Sequence, residues 1–190
     1  EYTRAGQKFG KIRRLITKSP DRIQPLCGIC TACGGCQFQQ LSYQAQLDYK
    51  TKKVASAFER NFRHKFNVLP CLGMEDPYNY RNKIQVPLGK DLHGNIISGF
   101  YRANTHKIIA TDVCYIDDER SRPIIKDIKL LMRSFKIEPY DEDRRYGVIR
   151  HILIRTSLHY EEVMVVLVVS KLNFPSQRNL LISTASSVPS

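Results

Sequence analysis

The sequence contains no tryptophan, and it has no apolar run long enough to cross a membrane. Its longest uninterrupted apolar run, Val163 to Val169, is far shorter than the roughly 20 residues of a membrane helix. The first residues contain no apolar segment of the kind found in signal peptides. We therefore predict a cytoplasmic protein that does not bind a membrane.

Negative charge is scarce in this chain relative to positive charge. The 190 residues include 30 Lys and Arg but only 18 Asp and Glu, which gives a net charge of +12. A surplus of this sign favours an anionic partner, and nucleic acid is the first candidate. Hydrophobic residues make up 42% of the chain, which is ordinary for a globular protein and argues against wholesale disorder or a collagen-like structure.

The residue pattern predicts an α+β fold, with antiparallel strands in a sheet or barrel-like domain, two main helices and a cysteine loop. One helix is predicted from the N-cap Ser42 to about residue 62, and a second from Glu119 to Phe135. The predicted strands are Lys11 to Lys18, Lys83 to Leu88, Asn95 to Tyr101, Lys107 to Ala110, Val148 to Leu158 and Glu162 to Ser170. The small, polar residues from Ser183 to Ser190 are predicted to be a frayed end or a boundary.

Four of the six cysteines lie within ten residues, at Cys27, Cys30, Cys33 and Cys36. Disulfides are disfavoured in a reducing compartment, so closely spaced thiols in an intracellular protein indicate a metal site first. Thiolates at C-x2-C steps on a glycine-containing loop can converge on one inorganic centre. Zinc usually takes two separated C-x2-C pairs, so this spacing favours an iron-sulfur cluster completed by a remote cysteine, with zinc as the alternative.

A longer motif surrounds these cysteines, Cys27-x5-Cys33-Gly-Gly-Cys36-Gln-Phe-Gln-Gln-Leu-Ser-Tyr-Gln-Ala-Gln-Leu47. Further segments follow it in order: Tyr78-Asn-Tyr-Arg-Asn-Lys83 with the strand through Pro87, Gly99-Phe-Tyr101, His106, Cys114, Tyr140-Asp-Glu142 and Arg150-His151. Together they resemble the RNA uracil-5-methyltransferase family, over about residues 9 to 175. Members of that family use S-adenosylmethionine to methylate C5 of uridine in 23S ribosomal RNA or in transfer RNA. We expect 23S ribosomal RNA as the partner of this protein, with transfer RNA as the alternative.

The resemblance implies a 4Fe-4S cluster with four protein ligands, Cys27, Cys33, Cys36 and Cys114. Cys30 occupies a position where the family does not require cysteine, so it is either a bystander or an alternative ligand. Cys71 matches no family position and is expected to be a small buried hydrophobic residue. Because this methyl transfer consumes no electrons, we expect the cluster to organise the loop and its RNA face.

The resemblance also implies that catalytic parts of the enzyme lie outside this chain. The sequence contains no Gly-x-Gly-x-Gly turn after a strand, and none of its cysteines has the sequence context of the family's nucleophile. We expect residues 1–18 to be the end of a truncated N-terminal β-barrel and residues 19–175 to be a central iron-sulfur and RNA-binding domain. Residues 176–190 are then a boundary segment before the S-adenosylmethionine-binding domain, and the fragment alone is expected to be inactive.

The segment Tyr80 to Lys83 carries aromatic, guanidinium, amide and ammonium groups in succession. Such groups can stack on a base, clamp a phosphate and contact a base edge in single-stranded RNA. Taken alone, the pattern favours a half-buried strand with a solvated basic face, and the resemblance favours RNA contact instead. On a strand, Arg81 and Lys83 share one face while Tyr80 and Asn82 share the other.

Two further groups extend this RNA surface. One group contains Gln85 and His106 together with Phe100, Tyr101 and Arg102. The other group contains Arg150 together with His151 and Arg155. The aromatics are equally compatible with a core, and His151 with a buried histidine. The predicted RNA-binding residues are Tyr80, Arg81, Asn82, Lys83, Gln85, His106 and Arg150.

Two rival functions fit parts of this pattern. A stand-alone cluster- or zinc-containing RNA-binding module, without catalysis, is the alternative to a methyltransferase that acts on 23S ribosomal RNA or transfer RNA. An electron carrier of the ferredoxin type would use Cys27, Cys30, Cys33 and Cys36, but the charge of +12 argues against it.

Overall fold

The computed structural model describes residues 2–10 and 12–187, which fall into two compact units. One unit contains Glu1–Gln24 and Gln40–Cys71, and the other contains Pro25–Gln39 and Leu72–Ser190. The cysteine loop is thus part of the second unit, which is the larger of the two. Within the described residues, no helix is both long enough and apolar enough to span a membrane.

The first unit begins with a short hairpin of strands β1 (Tyr2–Arg4) and β2 (Gln7–Phe9). The turn between them uses positive φ angles at Ala5 and Gly6. The prediction of a strand from Lys11 to Lys18 is wrong over residues 12–18, because these residues form no strand. Lys11 lies outside the described residues. Ile12 and Ile16 are 77% and 86% exposed. Their β-branched side chains therefore lack the half-buried sheet surface on which strand propensity depends.

Helix α1 (Tyr43–Asn61) follows in the same unit, close to the predicted bounds. Ser42 is its N-cap as predicted, and its hydroxyl accepts a hydrogen bond of 3.3 Å from the Ala45 backbone N–H. No residue of α1 is fully buried. Phe58, near its C-terminal end, instead packs with Phe62 and Phe66, which follow the helix, and the centroids of the three rings lie 4.8 to 5.6 Å apart.

The second unit is built on an antiparallel sheet of five strands in the order β5-β4-β3-β6-β7. These strands are β3 (Lys83–Lys90), β4 (Ile96–Tyr101), β5 (Ile108–Ala110), β6 (Ile149–Thr156) and β7 (Val163–Val169). All five were predicted, and the α+β class with antiparallel pairing is confirmed. A bulge between Ile149 and His151 interrupts the register of β6 with β7.

Helices α2 (Ser121–Ser134) and α3 (Gln177–Ser187) cover one face of this sheet. On α2, Ile124, Ile128 and Met132 recur every four residues and are at most 1% exposed. They pack in one core with alternate residues of the two central strands, which are Ile84, Val86 and Leu88 of β3 and Ile152 and Ile154 of β6. The alternation of a strand therefore points the intervening residues of β3 and β6 toward the other face.

The expectation of a frayed end from Ser183 is wrong as far as residue 187, because α3 continues to that residue. Leu180 of α3 is completely buried in the core, so packing rather than local propensity holds this helix. Residues 188–190 lie outside the described part of the chain.

An ion pair attaches the start of α2 to the turn between β6 and β7. The Arg120 guanidinium donates to the Asp118 carboxylate, with Nη2 to Oδ2 at 2.7 Å, and to the carbonyl oxygens of Ser157 and Glu161 at 3.2 and 3.3 Å. These hydrogen bonds from Arg120 lower the pKa of Asp118 to about 2. Only 12% of the Asp118 side chain is exposed, so the pair is weakly screened by solvent.

We expect Asp118→Asn to lower the free energy of unfolding by about 1–2 kcal/mol at pH 7. Because the folded-state pKa is depressed, this contribution is full above pH 4 and is lost as the pH falls toward 2. Urea unfolding of wild type and variant between pH 7 and pH 2.5 measures the difference. The exposed Asp143→Asn is the matched control, and an Asp118→Asn effect that is absent, or equal at every pH, would contradict the account.

Candidate functional site

The cysteine loop, residues 25–39, is attached by its backbone to the end of β4. The Gly34 N–H donates to the Tyr101 carbonyl at 3.1 Å, and the Ala103 N–H donates to the Ala32 carbonyl at 3.2 Å. A Cβ at Gly34 would lie only 3.3 Å from the Ala103 Cα, so the small residue permits this close approach. Gly34 of the glycine-containing loop thus has a specific position against the sheet.

Five thiols line one cavity on this side of the second unit. They are the side chains of Cys27, Cys30, Cys33, Cys36 and Cys114. The first four come from the loop, and Cys114 comes from the segment between β5 and α2. The structure therefore brings together the four predicted cluster ligands, and it places Cys30 on the same wall. The rest of the wall is largely apolar, formed by Ile29, Phe100, Val113 and Ile116 with Gln39, Gly35 and Arg81.

Hydrogen bonds already reach two of the sulfur atoms. The Gly35 backbone N–H donates to Cys33 Sγ at 3.3 Å, and the Gln39 side-chain amide donates to Cys36 Sγ at 3.3 Å. N–H donors to sulfur stabilise a thiolate and are among the features that set the properties of iron-sulfur centres. Sequence reasoning missed Gln39, although its position three residues after Cys36 was a usable signal.

Burial makes the free thiolates of Cys30, Cys36 and Cys114 unfavourable. It raises the pKa of Cys114 to about 12, and it also raises the pKa values of Cys36 and Cys30. For Cys30, the neighbouring Cys27 and Cys33 add to the effect. A low-dielectric site of this kind retains thiols in the absence of a cation, whereas a coordinating metal deprotonates them outright. The donor set and its surroundings thus suit a soft, multivalent cationic centre.

Arg81 belongs to this cavity rather than to the open strand surface predicted for it. It forms an isolated backbone bridge with Asp117 before β3 begins, and its Nη1 lies 4.0 Å from Asp117 Oδ1. Its positive charge also offsets part of the rise that burial causes in the pKa of Cys36. Arg81 and Lys83 were expected on one strand face; the regular strand starts only at Lys83, so Arg81 lies just before it.

No group of three or more His, Cys, Asp or Glu among residues 2–10 and 12–187 is arranged to hold a single metal ion.

Cys71 lies in the first unit, where its backbone N–H donates to the Thr51 hydroxyl at 2.9 Å. It is half-buried, whereas a buried residue was expected.

The face of the sheet opposite the helices carries part of the predicted RNA-binding set. Lys83 and Gln85 of β3 are exposed there, and their cross-strand partners on β6 are Arg155 and Leu153. Tyr80 is 50% exposed and Asn82 is exposed just before β3. This face is therefore basic and accessible at the end of β3 and β6 that carries Lys83 and Arg155.

Tyr101, His106 and His151 form a separate group at the end of β4. The Tyr101 hydroxyl lies 3.4 Å from His151 Nε2, and its ring meets the His106 ring edge-on with centroids 5.8 Å apart. Burial lowers the pKa of His151 and raises that of Tyr101. His151 is thus a half-buried histidine with a tyrosine partner, whereas Tyr101 and His106 are exposed.

Arg150 lies apart from the β3 residues. Its guanidinium carbon is 3.8 Å from the centre of the Tyr140 ring, and the guanidinium also forms an ion pair with Glu142. The predicted RNA-binding residues thus occupy three places: the cysteine cavity, the open sheet face with the neighbouring histidine group, and the Arg150–Tyr140 pair.

The sequence is similar to proteins named RNA methyltransferases. It is 41% identical over 172 residues to an uncharacterized RNA methyltransferase of Clostridium tetani, an alignment that covers 90% of this chain and 37% of the relative. It is 38% identical over 185 residues to one of Halalkalibacterium halodurans, with 97% of this chain and 40% of the relative covered. No family model matches the chain.

A solved structure shows the same fold. The crystal structure of Pyrococcus abyssi tRNA (uracil-54, C5)-methyltransferase in complex with S-adenosyl-L-homocysteine matches with a TM-score of 0.65 and 28% identity. The match covers 88% of this chain and 37% of that one. Together the comparisons confirm the resemblance to RNA methyltransferases, and the chain spans about two fifths of the length of these relatives.

Proposed function

We propose that this chain is part of an S-adenosylmethionine-dependent RNA methyltransferase that methylates C5 of a uridine. The names of the relatives support the reaction class, and the printed substrate of the structural neighbour supports uracil C5 as the target atom. The S-adenosyl-L-homocysteine in that neighbour is what remains of S-adenosylmethionine after methyl transfer. Its transfer RNA substrate favours transfer RNA over the 23S ribosomal RNA that the sequence resemblance placed first.

Within that enzyme, the role of this chain is to hold a 4Fe-4S cluster on Cys27, Cys33, Cys36 and Cys114. The observation that carries this proposal is that a cysteine from the segment after β5 lines the same apolar cavity as the loop cysteines. When bound, the cluster would supply the positive charge that turns buried thiols into thiolates and would cross-link the loop to the sheet. Methyl transfer as CH3+ needs no electron, so the role is structural.

The surrounding residues of the chain would support the ligated thiolates in distinct ways. The Gly35 N–H and the Gln39 amide donate hydrogen bonds to Cys33 and Cys36. Arg81 supplies a positive charge beside Cys36, which offsets the net negative charge of a thiolate-ligated cluster. The apolar wall excludes water from the sulfur atoms.

We expect anaerobically prepared protein to contain about four iron and four sulfide per chain, as this cluster type requires. Cys114→Ser should abolish or strongly reduce both, because it removes the ligand contributed from outside the loop. Cys30→Ser is the matched control and should retain them. Iron and sulfide analysis with the visible absorption spectrum measures the outcome. An essential Cys30 with a dispensable Cys114 would show that the four loop cysteines are the ligands, and stoichiometric zinc would favour the zinc module instead.

The second proposed role is RNA binding by the open face of β3 and β6. Lys83, Gln85 and Arg155 are accessible there, on the face that the helices leave uncovered. A basic surface binds phosphates with release of counterions, so the affinity is expected to fall as salt rises.

We expect Lys83→Ala to weaken RNA binding and to reduce the slope of log affinity against log salt by about one. Lys126→Ala removes the same charge from an exposed position on α2, across the sheet, and should change neither quantity. Fluorescence anisotropy with a uridine-containing RNA loop at several salt concentrations measures both. Equal and negligible effects of the two substitutions would place the RNA surface elsewhere.

Methyl transfer is proposed to require the part of the relatives' length that this chain does not span. Residues 1–190 incubated with labelled S-adenosylmethionine and unmodified transfer or ribosomal RNA should therefore transfer no label. The positive control is a full-length relative under the same conditions. Reproducible formation of 5-methyluridine by residues 1–190 would show that the catalytic groups lie within this chain.

A further inference from the structure

A second cavity of the larger unit shares no lining residue with the cysteine cavity. Its volume is about 460 Å³, within the usual range of sites for small ligands. Three stretches of chain form its walls: residues 136–150 after α2, the end of β7 with Ser170 and Lys171, and Phe174 with Pro175 before α3.

Positive charge dominates the lining of this cavity. Four of its side chains are cationic, namely Lys136, Arg145, Arg150 and Lys171. The lining carboxylate is Glu138, which is ion-paired with Lys90. Such a surface attracts an anion, and four cations around one cavity fit more than one phosphate.

Aromatic rings alternate with these cations. Tyr140, Tyr146 and Phe174 line the cavity, and the Arg150 guanidinium covers one face of the Tyr140 ring at 3.8 Å. Tyr146 is 67% exposed although it lines a cavity, so most of its ring is open to a ligand. Exposed rings interleaved with cations are the combination that binds single-stranded nucleic acid, since every base offers a π-face for stacking.

The frame around Tyr146 is fixed by the backbone. The Asp141 N–H donates to the Tyr146 carbonyl at 2.7 Å, and the Ser170 hydroxyl donates to the Gly147 carbonyl at 2.9 Å. Gly147 has a φ of 102°, and a Cβ there would lie 2.2 Å from the Pro139 carbonyl oxygen. The turn therefore fixes the backbone from which the Tyr146 ring projects, and a fixed backbone reduces the freedom that is lost on binding.

We propose that this cavity binds one nucleotide of a single-stranded RNA segment, with its base stacked on Tyr146 and its phosphates held by Lys136, Arg145 and Lys171. The inference rests on the proposed function, in which the ligand of the chain is RNA. It adds a nucleotide site whose lining residues lie outside the sequence motifs, apart from Tyr140 and Arg150.

The test is fluorescence anisotropy of residues 1–190 with a fluorescein-labelled, uridine-containing octaribonucleotide at several salt concentrations. Tyr146→Ala should weaken binding about tenfold, within the range that one base-stacking ring contributes. Tyr146→Phe keeps the ring and should bind like wild type, which separates stacking from a folding defect. Lys171→Ala should reduce the salt slope by about one.

Two matched controls complete the design. Tyr160 is 72% exposed on the β6–β7 turn of the same unit, and Tyr160→Ala should leave the affinity unchanged. Lys126→Ala should leave the salt slope unchanged. If wild type binds the oligonucleotide and Tyr146→Ala binds equally well, the nucleotide site is disproved while the proposed function stands. If wild type binds no RNA even at low salt, the RNA-binding role itself is contradicted, and this inference with it.

Discussion

The attachment of the cysteine loop to the sheet is the constraint on which the rest of the site depends. Two backbone hydrogen bonds, from Gly34 to Tyr101 and from Ala103 to Ala32, hold an irregular segment against the end of β4. Strand β5 then runs so close to β4 that a Cβ at Gly99 would lie 1.9 Å from the Ile109 carbonyl oxygen. These contacts fix the loop and the segment carrying Cys114 relative to the same strand, so that cysteines distant in sequence line one cavity.

Positively charged side chains have different surroundings in the cysteine cavity and on the open face of the sheet. At the cavity, burial opposes thiolate formation, and Arg81 acts on Cys36 in the opposite direction. On the open face, Lys83 and Arg155 are solvated and available to a polyanion. Among the basic residues of the sequence, Arg81 thus favours the thiolate of a buried cysteine, whereas Lys83 and Arg155 are placed where a phosphate could reach them.

Sequence reasoning predicted the strands of the larger unit because their alternation and turns are local signals. Ser42 and the four-residue spacing of Ile124, Ile128 and Met132 located α1 and α2 for the same reason. Helix α3 was missed because it depends on tertiary packing, with Leu180 and Thr184 buried, rather than on a local sequence signal. For Lys11 to Lys18 the error was the reverse, because a strand was predicted and none forms over residues 12–18. Strand propensity has little effect without a neighbouring strand to pair with.

At the site, the cysteine motif and its remote partner were recognisable from the sequence, and the structure places all of them on one cavity. The position of Arg81 was not predictable, since it depends on the backbone bridge to Asp117 and not on the strand periodicity that extends from Lys83. The cavity around Tyr146 likewise arises from three segments that are separated in sequence. Long-range packing creates such sites, and a single sequence carries no local signal for it.

The central claim is that Cys27, Cys33, Cys36 and Cys114 together hold one iron-sulfur cluster. Anomalous X-ray diffraction at the iron absorption edge, from crystals of anaerobically prepared protein, tests it most directly. The account predicts a compact group of iron peaks in the cysteine cavity, with Sγ of each of these four residues bonded to it and Cys30 unbonded. Iron bonded to Cys30 in place of Cys114, or a single zinc peak in the cavity, would contradict the account.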